Sequence, residues 1–151
     1  MTDAKSSAAG ADAGASAERV EQPEQPEHAA LAAVLQRCPG LEFAALVGSR
    51  AKGRAHAHSD WDVSIRWQRG IHPWQRLQAT ESLRLQLAQA LAVAPEAIDL
   101  IDLAQARLAM RARVAQEGRV LAGAGSLPWM RFLQRTWAEI EDFDWRRQHA
   151  A

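Results

Sequence analysis

The residues best suited to carry chemistry lie in the segment LVGSRAKGRAHAHSDWDVSIRW, residues 46–67. An apolar run ends at Gly48-Ser49, and ten residues further on come two aspartates, Asp60 and Asp62. Because side chains alternate along a strand, both aspartates point to the same face. Two carboxylates this close repel each other unless both face water or a divalent cation lies between them. Mg²⁺ binds a few carboxylates together with substrate phosphate oxygens, so the pair indicates metal-dependent phosphate chemistry.

The Gly48-Ser49 turn and the bases after it supply the other half of a phosphate site. Glycine allows close backbone approach, and backbone N–H groups at a helix start hold phosphate; we expect a short helix to open at 49–52. Ser49 adds a hydroxyl donor, and Arg50 and Lys52 neutralise phosphate charge. The alternative is simpler: Gly-Ser ends many strands, and Asp-x-Asp occurs by chance on solvated strand faces.

A metal-binding carboxylate pair usually needs a third acid, and the segment AIDLIDL offers Asp99 and Asp102. These residues are three apart, so on a regular strand they face opposite ways. Asp102 ends the strand, with Gln105 three residues on, and is suited to cap a following helix. Asp99 lies between Ile98 and Leu100, where an unpaired carboxylate would be costly and a metal would compensate it. We therefore predict Asp99 as the third acid.

The surrounding segments predict an α/β (α+β) fold in which a small mixed sheet is covered by helices. DWDVSIRW alternates apolar and polar residues, as is typical of a strand, and LEFAALVG is an apolar run of strand length. RVLAG, at 119–123, fits a short strand or an extended turn. The predicted helices cover 28–38, 73–93, 104–118 and 126–148, and the predicted strands cover 41–48, 60–67 and 97–103.

The helix predicted over 73–93 is amphipathic, with Trp74, Leu77, Leu83, Leu87, Ala90 and Leu91 roughly on one side. The last helix also carries an apolar stripe. Its members are Trp129, Leu133, Trp137, Ile140 and Phe143. The second stripe either covers the sheet, which is the commoner use of such a surface, or docks a partner.

Charge and composition divide the chain into a tail and a body. Residues 1–27 hold six acids and two bases, end in QPEQPE and are poor in large apolar residues, so we expect a disordered tail before a domain over 28–151. The body has 16 bases and 12 acids, too weak an excess to indicate direct nucleic-acid binding. Neither a secretory signal nor an apolar run of about 20 residues occurs, which indicates a cytoplasmic protein without a membrane segment.

The run GSRAKGRAHAHSDWD resembles the GS-x10-D-x-D signature of the polymerase β-like nucleotidyltransferase superfamily. The later IDLIDL, a helix and QEGRVLA are similar to the minimal nucleotidyltransferases of bacteria and archaea, the MNT or MntA-type antitoxins. The resemblance spans 41–121, over half of the chain, and it is specific as a combination rather than in any one part. One departure is Trp61, where the family more usually carries a smaller aliphatic residue; we expect its side chain to face the core.

This resemblance implies a polymerase β-like nucleotidyltransferase fold and an Mg²⁺-dependent transfer of AMP from ATP. By the resemblance, Ser49 and the Gly48 backbone hold the β- and γ-phosphates. Asp60 and Asp62 bind two Mg²⁺ ions, and Asp99 shares one of them and helps to activate the incoming hydroxyl. Attack on the α-phosphate then releases pyrophosphate.

The resemblance also implies a partner, since members of this type are paired with a HEPN-domain toxin and transfer AMP to a tyrosine of that toxin. This chain contains no tyrosine, so the acceptor must lie on another molecule. Two other functions remain open. One is a non-catalytic antitoxin that neutralises its toxin by binding. The other is a small-molecule nucleotidyltransferase of the aminoglycoside-modifying kind, which would need an acceptor pocket that we do not find in so short a chain.

Overall fold

The chain is represented by a computed structural model that describes residues 25–150. The helices are α1 (Pro26–Gln36), α2 (Pro73–Leu91), α3 (Leu108–Glu117) and α4 (Leu127–Gln148). The strands are β1 (Leu41–Val47), β2 (Trp61–Trp67), β3 (Ile98–Asp102) and β4 (Arg119–Ala122). The first helix begins two residues before the domain start predicted from the sequence, and residues 1–24 of the predicted tail lie outside the described residues.

The four strands form one mixed sheet in the order β3-β2-β1-β4. β1 runs antiparallel to both β2 and β4, whereas β2 and β3 are parallel. The predicted class, a small mixed sheet covered by helices, is confirmed, and RVLAG is a strand rather than an extended turn. β3 forms one edge of the sheet, which matters for access to the site described below.

Helices cover both faces of the sheet, which gives the domain two apolar cores. The face toward α1 and α2 buries Val63 and Ile65 of β2 together with Leu87 of α2. The face toward α3 and α4 buries Phe43 of β1 with Trp129 of α4. Because β2 alternates, its polar residues belong to the α3–α4 face.

The large apolar residues of helix α2 lie on two sides of the helix, and not on one side as predicted from the sequence. Leu83 and Leu87 are buried, but Trp74 and Leu77 are 61% and 52% exposed, so the prediction of one shared side was wrong. Trp74 and Leu83 are nine positions apart, and at 3.6 residues per turn this spacing places them on opposite sides of the helix. The apolar stripe predicted from the sequence therefore combined residues that lie on two different sides of the helix.

The apolar stripe of α4 is divided between two roles. Trp129 and Phe132 pack against Phe43, with ring centroids 5.1 and 5.4 Å apart, so the first half of the helix covers the sheet. In the second half, Trp137 and Phe143 are 41% and 55% exposed. Ser126 caps the helix by accepting the Trp129 N–H. No helix in residues 25–150 is both long and apolar enough to cross a membrane.

Candidate active site

The structure brings the predicted acids together at one end of β2 and β3. Asp60 directly precedes β2 and is exposed, whereas Asp62 lies within the strand and is partly buried. In the parallel register Asp62 stands opposite Asp99 of β3. Adjacent strands therefore place the third predicted acid beside the Asp-x-Asp pair.

The physical reason given for choosing Asp99 from the sequence was wrong, because this side chain is exposed rather than buried. β3 is an edge strand, so its carboxylate reaches solvent despite its apolar neighbours. Asp102 points to the other face, where it lies 3.7 Å from Arg76 and accepts the Ala104 N–H at 2.9 Å. It stabilises a turn and does not cap α3, whose N-cap residue is Arg107.

The three acids influence one another electrostatically. Burial raises the pKa of the Asp62 carboxyl, and the negative charges of Asp99 and Asp60 raise it further. The positive charge of Arg113 on α3 acts in the opposite direction and lowers this pKa. A cation placed among these carboxylates would relieve the repulsion.

Gly48 fits closely against the Asp62 carboxylate. Its φ is +77°, a left-handed conformation that disfavours other residues, and an added Cβ would lie 2.6 Å from Asp62 Oδ2. The antiparallel register pairs Val47 with Asp62, which explains why the end of β1 lies against this acid. Glycine is therefore required here both by backbone conformation and by space.

The short helix predicted at 49–52 is absent, and residues 49–53 form successive turns. The Ala51 N–H donates to the Gly48 carbonyl at 3.2 Å, and the Arg54 N–H donates to the Ser49 carbonyl at 3.0 Å. Left-handed glycines on both sides of the segment, Gly48 and Gly53, prevent a regular helix. Ser49 is partly buried within these turns and directly follows Gly48, which lies against the Asp62 carboxylate.

The two predicted phosphate-binding bases have different surroundings. The Arg50 guanidinium donates to the Ser59 carbonyl at 2.9 and 3.2 Å, and it lies 4.3 Å from the centre of the Trp61 ring. Trp61 is only 3% exposed, as expected of a core-facing residue, so the unusual aromatic supports the arginine that closes the loop. Lys52 Nζ lies 2.9 Å from a Glu117 carboxylate oxygen.

Sequence reasoning missed the contribution of α3 to this site. Arg113 and Glu117 lie one turn apart on the helix, with Arg113 Nε 3.8 Å from the Glu117 carboxylate. The Lys52 hydrogen bond and the neighbouring positive charges lower the pKa of Glu117. In the sequence, these two residues match a common surface ion pair at i,i+4 spacing, and only the packing of α3 on the sheet brings them to the acids.

The donor chemistry of the acids suits Mg²⁺, which prefers carboxylate oxygens and phosphate. As the side chains stand in residues 25–150, no three His, Cys, Asp or Glu are close enough to hold a metal ion. The mutual repulsion at Asp62 favours a cation among the acids. The metal and nucleotide roles assigned from the sequence therefore stay predictions.

Comparison with known proteins agrees with this geometry. Residues 30–124 match the family model described as Polymerase beta, Nucleotidyltransferase. No curated protein sequence matches the chain significantly.

Solved structures share the fold at low sequence identity. A chain in a toxin–antitoxin complex with AMP-PNP is 24% identical, with a TM-score of 0.61 over 80% of this chain and 92% of that one. A chain in the complex of tri-AMPylated Shewanella oneidensis HEPN toxin with MNT antitoxin is 22% identical, with a TM-score of 0.57 over 81% and 90%. An MntA–HepT complex gives 22% identity and a TM-score of 0.56 over 81% and 91%.

The predicted fold and the predicted family are thus confirmed. The family model covers well over half of the chain and includes both strands that carry the three acids. This chain belongs to the polymerase β nucleotidyltransferase family.

Proposed function

We propose that this protein transfers AMP from ATP to a hydroxyl group of a HEPN-domain toxin and thereby acts as its antitoxin in the cytoplasm. The observation that carries the proposal is the meeting of Asp62 and Asp99 on adjacent strands, next to Gly48. The comparison that supports it is the fold shared with a complex of MNT antitoxin and tri-AMPylated HEPN toxin.

In this proposal the ATP phosphates lie against the Gly48-Ser49 turn. Lys52 exchanges its pairing with Glu117 for a phosphate oxygen, while Arg50 keeps the loop closed through the Ser59 carbonyl. The carboxylates of Asp60, Asp62 and Asp99 would hold the metal, as two Mg²⁺ ions. When bound, the metal stabilises negative charge on the attacking and leaving oxygens.

The transfer forms one bond and breaks one. The hydroxyl oxygen of the partner bonds to the α-phosphorus of ATP, and the bond from that phosphorus to the oxygen bridging to the β-phosphate breaks. Pyrophosphate leaves with that oxygen, and the hydroxyl proton passes to the Asp99 carboxylate.

The position of the acids favours a protein as the acceptor. Asp99 is exposed on the edge strand β3, so a side chain that projects from another protein can reach it. Asp62 lies further in and is partly buried. A protein acceptor would supply the residues around its own hydroxyl group. A domain of this size would then not need a separate pocket to bind the acceptor.

The second half of α4 is the proposed contact surface for the toxin. It presents the exposed aromatic residues Trp137, Phe143 and Trp145 beyond the part of the helix that packs on the sheet. Aromatic side chains provide large apolar contact areas at protein interfaces. Docking through α4 would leave the edge of β3 free for the acceptor side chain.

The test is an intact-mass measurement on the HEPN-domain toxin expected beside this gene, after incubation with this protein, ATP and Mg²⁺. Asp62→Asn is run in parallel, and Asp102→Asn serves as the matched control because it lies on the other face of the sheet. We expect the toxin to gain one or more AMP masses with the native protein and with the control, but not with Asp62→Asn.

Two other results would overturn the proposal. A tight complex without mass gain for any nucleotide would indicate an antitoxin that acts by binding alone. Transfer to a small hydroxylated acceptor in the absence of any partner protein would indicate a small-molecule nucleotidyltransferase.

A further inference from the structure

A cavity of about 550 Å³ lies at the opposite end of β2 from the acids. It opens between the start of β1, the end of β2 and helices α3 and α4. One acid, Glu42, is among the described residues that line it. Five arginines also line it: Arg66, Arg69, Arg111, Arg131 and Arg135. The cavity therefore carries a strong excess of positive charge.

Within the described part of the chain, most of this charge is not paired with an acid. Arg111 pairs with Glu139 at 2.8 Å. Arg135 lies near enough to the same carboxylate to lower its pKa. Within residues 25–150 the other four arginines form no ion pair closer than 4.0 Å. Several like charges around a concave surface raise the local potential and attract anions.

A buried hydroxyl gives a second, independent indication of a ligand. Thr136 of α4 lines the same cavity and is 1% exposed, yet its Oγ1 has no hydrogen-bond partner within residues 25–150. In helices such a hydroxyl commonly bonds to a carbonyl of the preceding turn. A buried polar atom without a partner is unfavourable, and an oxygen of a bound anion would supply the missing partner.

We propose that this cavity binds the phosphate chain of a nucleotide-sized polyphosphate, at a site separate from the active site. Arginine forks match phosphate oxygens in pairs, and the cavity volume lies within the range of small-molecule sites. The proposal stands on these residues alone and does not depend on the proposed transfer of AMP.

Protein atoms fill the space between the two sites. Asp62 and Arg66 lie four residues apart on β2, about 13 Å at the usual rise of a strand. Ser64 lies between them, is fully buried and donates to the Ala45 carbonyl at 2.9 Å. One ligand therefore does not occupy both sites.

The shape and lining of the cavity favour a small anion over a nucleic acid. Proteins that bind single-stranded nucleic acid combine a basic groove with exposed aromatic side chains on which bases stack. Here the aromatic residue in the lining, Phe132, is only 8% exposed and packs against Phe43 and Trp129. It is not available for stacking.

The test is calorimetric titration of the full chain with inorganic tripolyphosphate in EDTA, which removes metal-dependent binding at the acids. We expect binding at one site per chain, weakened about tenfold or more in the Arg131→Gln/Arg135→Gln double variant. Thr136→Val keeps the side-chain shape and is expected to weaken binding severalfold without loss of thermal stability. Arg147→Gln, on the same helix but outside the cavity, is expected to bind as the native protein does.

A parallel titration with ATP distinguishes the source of the phosphate chain. If ATP binds more tightly than tripolyphosphate, the ligand of the cavity is a nucleotide. If the two bind equally, the ligand is an inorganic phosphate chain. The proposal is overturned if tripolyphosphate does not bind, or if its binding is lost in Lys52→Gln, at the acidic end, and kept in the double arginine variant. Binding of a single-stranded oligonucleotide with the same arginine dependence, but not of tripolyphosphate, would assign the surface to nucleic acid instead.

Discussion

The two ends of β2 carry opposite charges on the same face of the sheet. At one end, Asp60 and Asp62 meet Asp99, and the carboxylates repel one another. At the other end, Arg66 belongs to a cavity whose arginines mostly form no ion pair within residues 25–150. Unbalanced charge of either sign is unfavourable in the free protein and is typical of sites that bind an ion or a substrate.

The two ends differ in how firmly their side chains are held. Strand register places Asp62 opposite Asp99, and Gly48 lies directly against the Asp62 carboxylate. In the cavity, by contrast, Arg131 and Arg135 are exposed on a helix and are long and flexible. Fixed geometry suits catalysis, where small displacements matter, whereas flexible cations suit binding. Substitutions at the acidic end should therefore have the larger effects.

The largest effect is expected for Asp99→Asn. Loss of this carboxylate removes both a metal ligand and the proposed acceptor of the hydroxyl proton, so kcat for AMP transfer should fall by about 10³-fold, or about 4 kcal/mol. Because Asp102 lies on the same strand but on the opposite face, Asp102→Asn should keep kcat within a few-fold. The kcat values are measured by steady-state kinetics of AMP transfer with the toxin as acceptor. Equal losses of kcat in the two variants would mean that the substitutions disturb the structure of β3, and that the effect is not specific to the Asp99 carboxylate.

Replacement of Gly48 should show how closely the acidic end is packed. In Gly48→Ala the new Cβ displaces the Asp62 carboxylate, so AMP transfer should fall about 100-fold and the free energy of unfolding by about 1–3 kcal/mol. Gly53→Ala is the matched control, because its φ is also positive, +67°, yet no described residue other than its chain neighbours has an atom within 4 Å of the added Cβ. It should lose about 1 kcal/mol and keep its activity. Full activity in Gly48→Ala would show that Asp62 tolerates displacement.

The acidic end was largely predictable from the sequence because its parts are local. A glycine-serine turn, a ten-residue spacing and alternation along a strand placed Gly48, Asp60 and Asp62 correctly relative to one another. The prediction that Asp99 and Asp102 face opposite ways is confirmed, whereas the reason for choosing Asp99 does not hold on an exposed edge strand. The prediction of a helix at 49–52 was wrong because the sequence did not show that Gly48 and Gly53, on either side of it, adopt left-handed conformations.

The arginine cavity and the contribution of α3 could not be found in the same way. Arg66, Arg111 and Arg131 are separated by many residues in the sequence. Taken alone, each is typical of a solvated base on the protein surface. Their meeting depends on how α3 and α4 pack on the sheet, which periodicity within one segment does not determine. Arg113 near Asp62 is a similar case, since its sequence neighbours suggest only an ion pair within the helix.

The repulsion among the acids should be visible as a pH-dependent cost in stability. Burial and the charges of Asp99 and Asp60 raise the pKa of Asp62 in the folded state, so its ionisation disfavours folding. This cost is absent below the unfolded pKa of about 3.9 and is complete above the folded pKa. Asp62→Asn should therefore raise Tm by about 2 °C at pH 7, with a gain that shrinks as the pH is lowered towards 4.

Thermal unfolding across this pH range, with and without Mg²⁺, tests this expectation. Mg²⁺ should raise the Tm of the native protein, because the ion binds only the folded acids, and should have little effect on Asp62→Asn. Asp102→Asn, which removes a carboxylate that faces Arg76 instead of other acids, should lower Tm slightly. A native protein that is more stable than Asp62→Asn at pH 7 without metal would contradict the repulsion.

The smallest effect is expected at Glu117, whose carboxylate holds Lys52 and Arg113 beside the acids. Glu117→Gln removes this negative charge and frees both cations for phosphate. The acidic end would then carry unpaired cations, as the arginine-lined cavity does. We expect KM for ATP to fall about two- to threefold, with Tm almost unchanged, because exposed ion pairs contribute little to stability. Glu81→Gln breaks a comparable exposed pair with Arg84 on α2 and should leave KM unchanged. A higher KM in Glu117→Gln would instead mean that Glu117 positions Lys52 for the nucleotide, so that the pairing with Lys52 belongs to the binding-competent state.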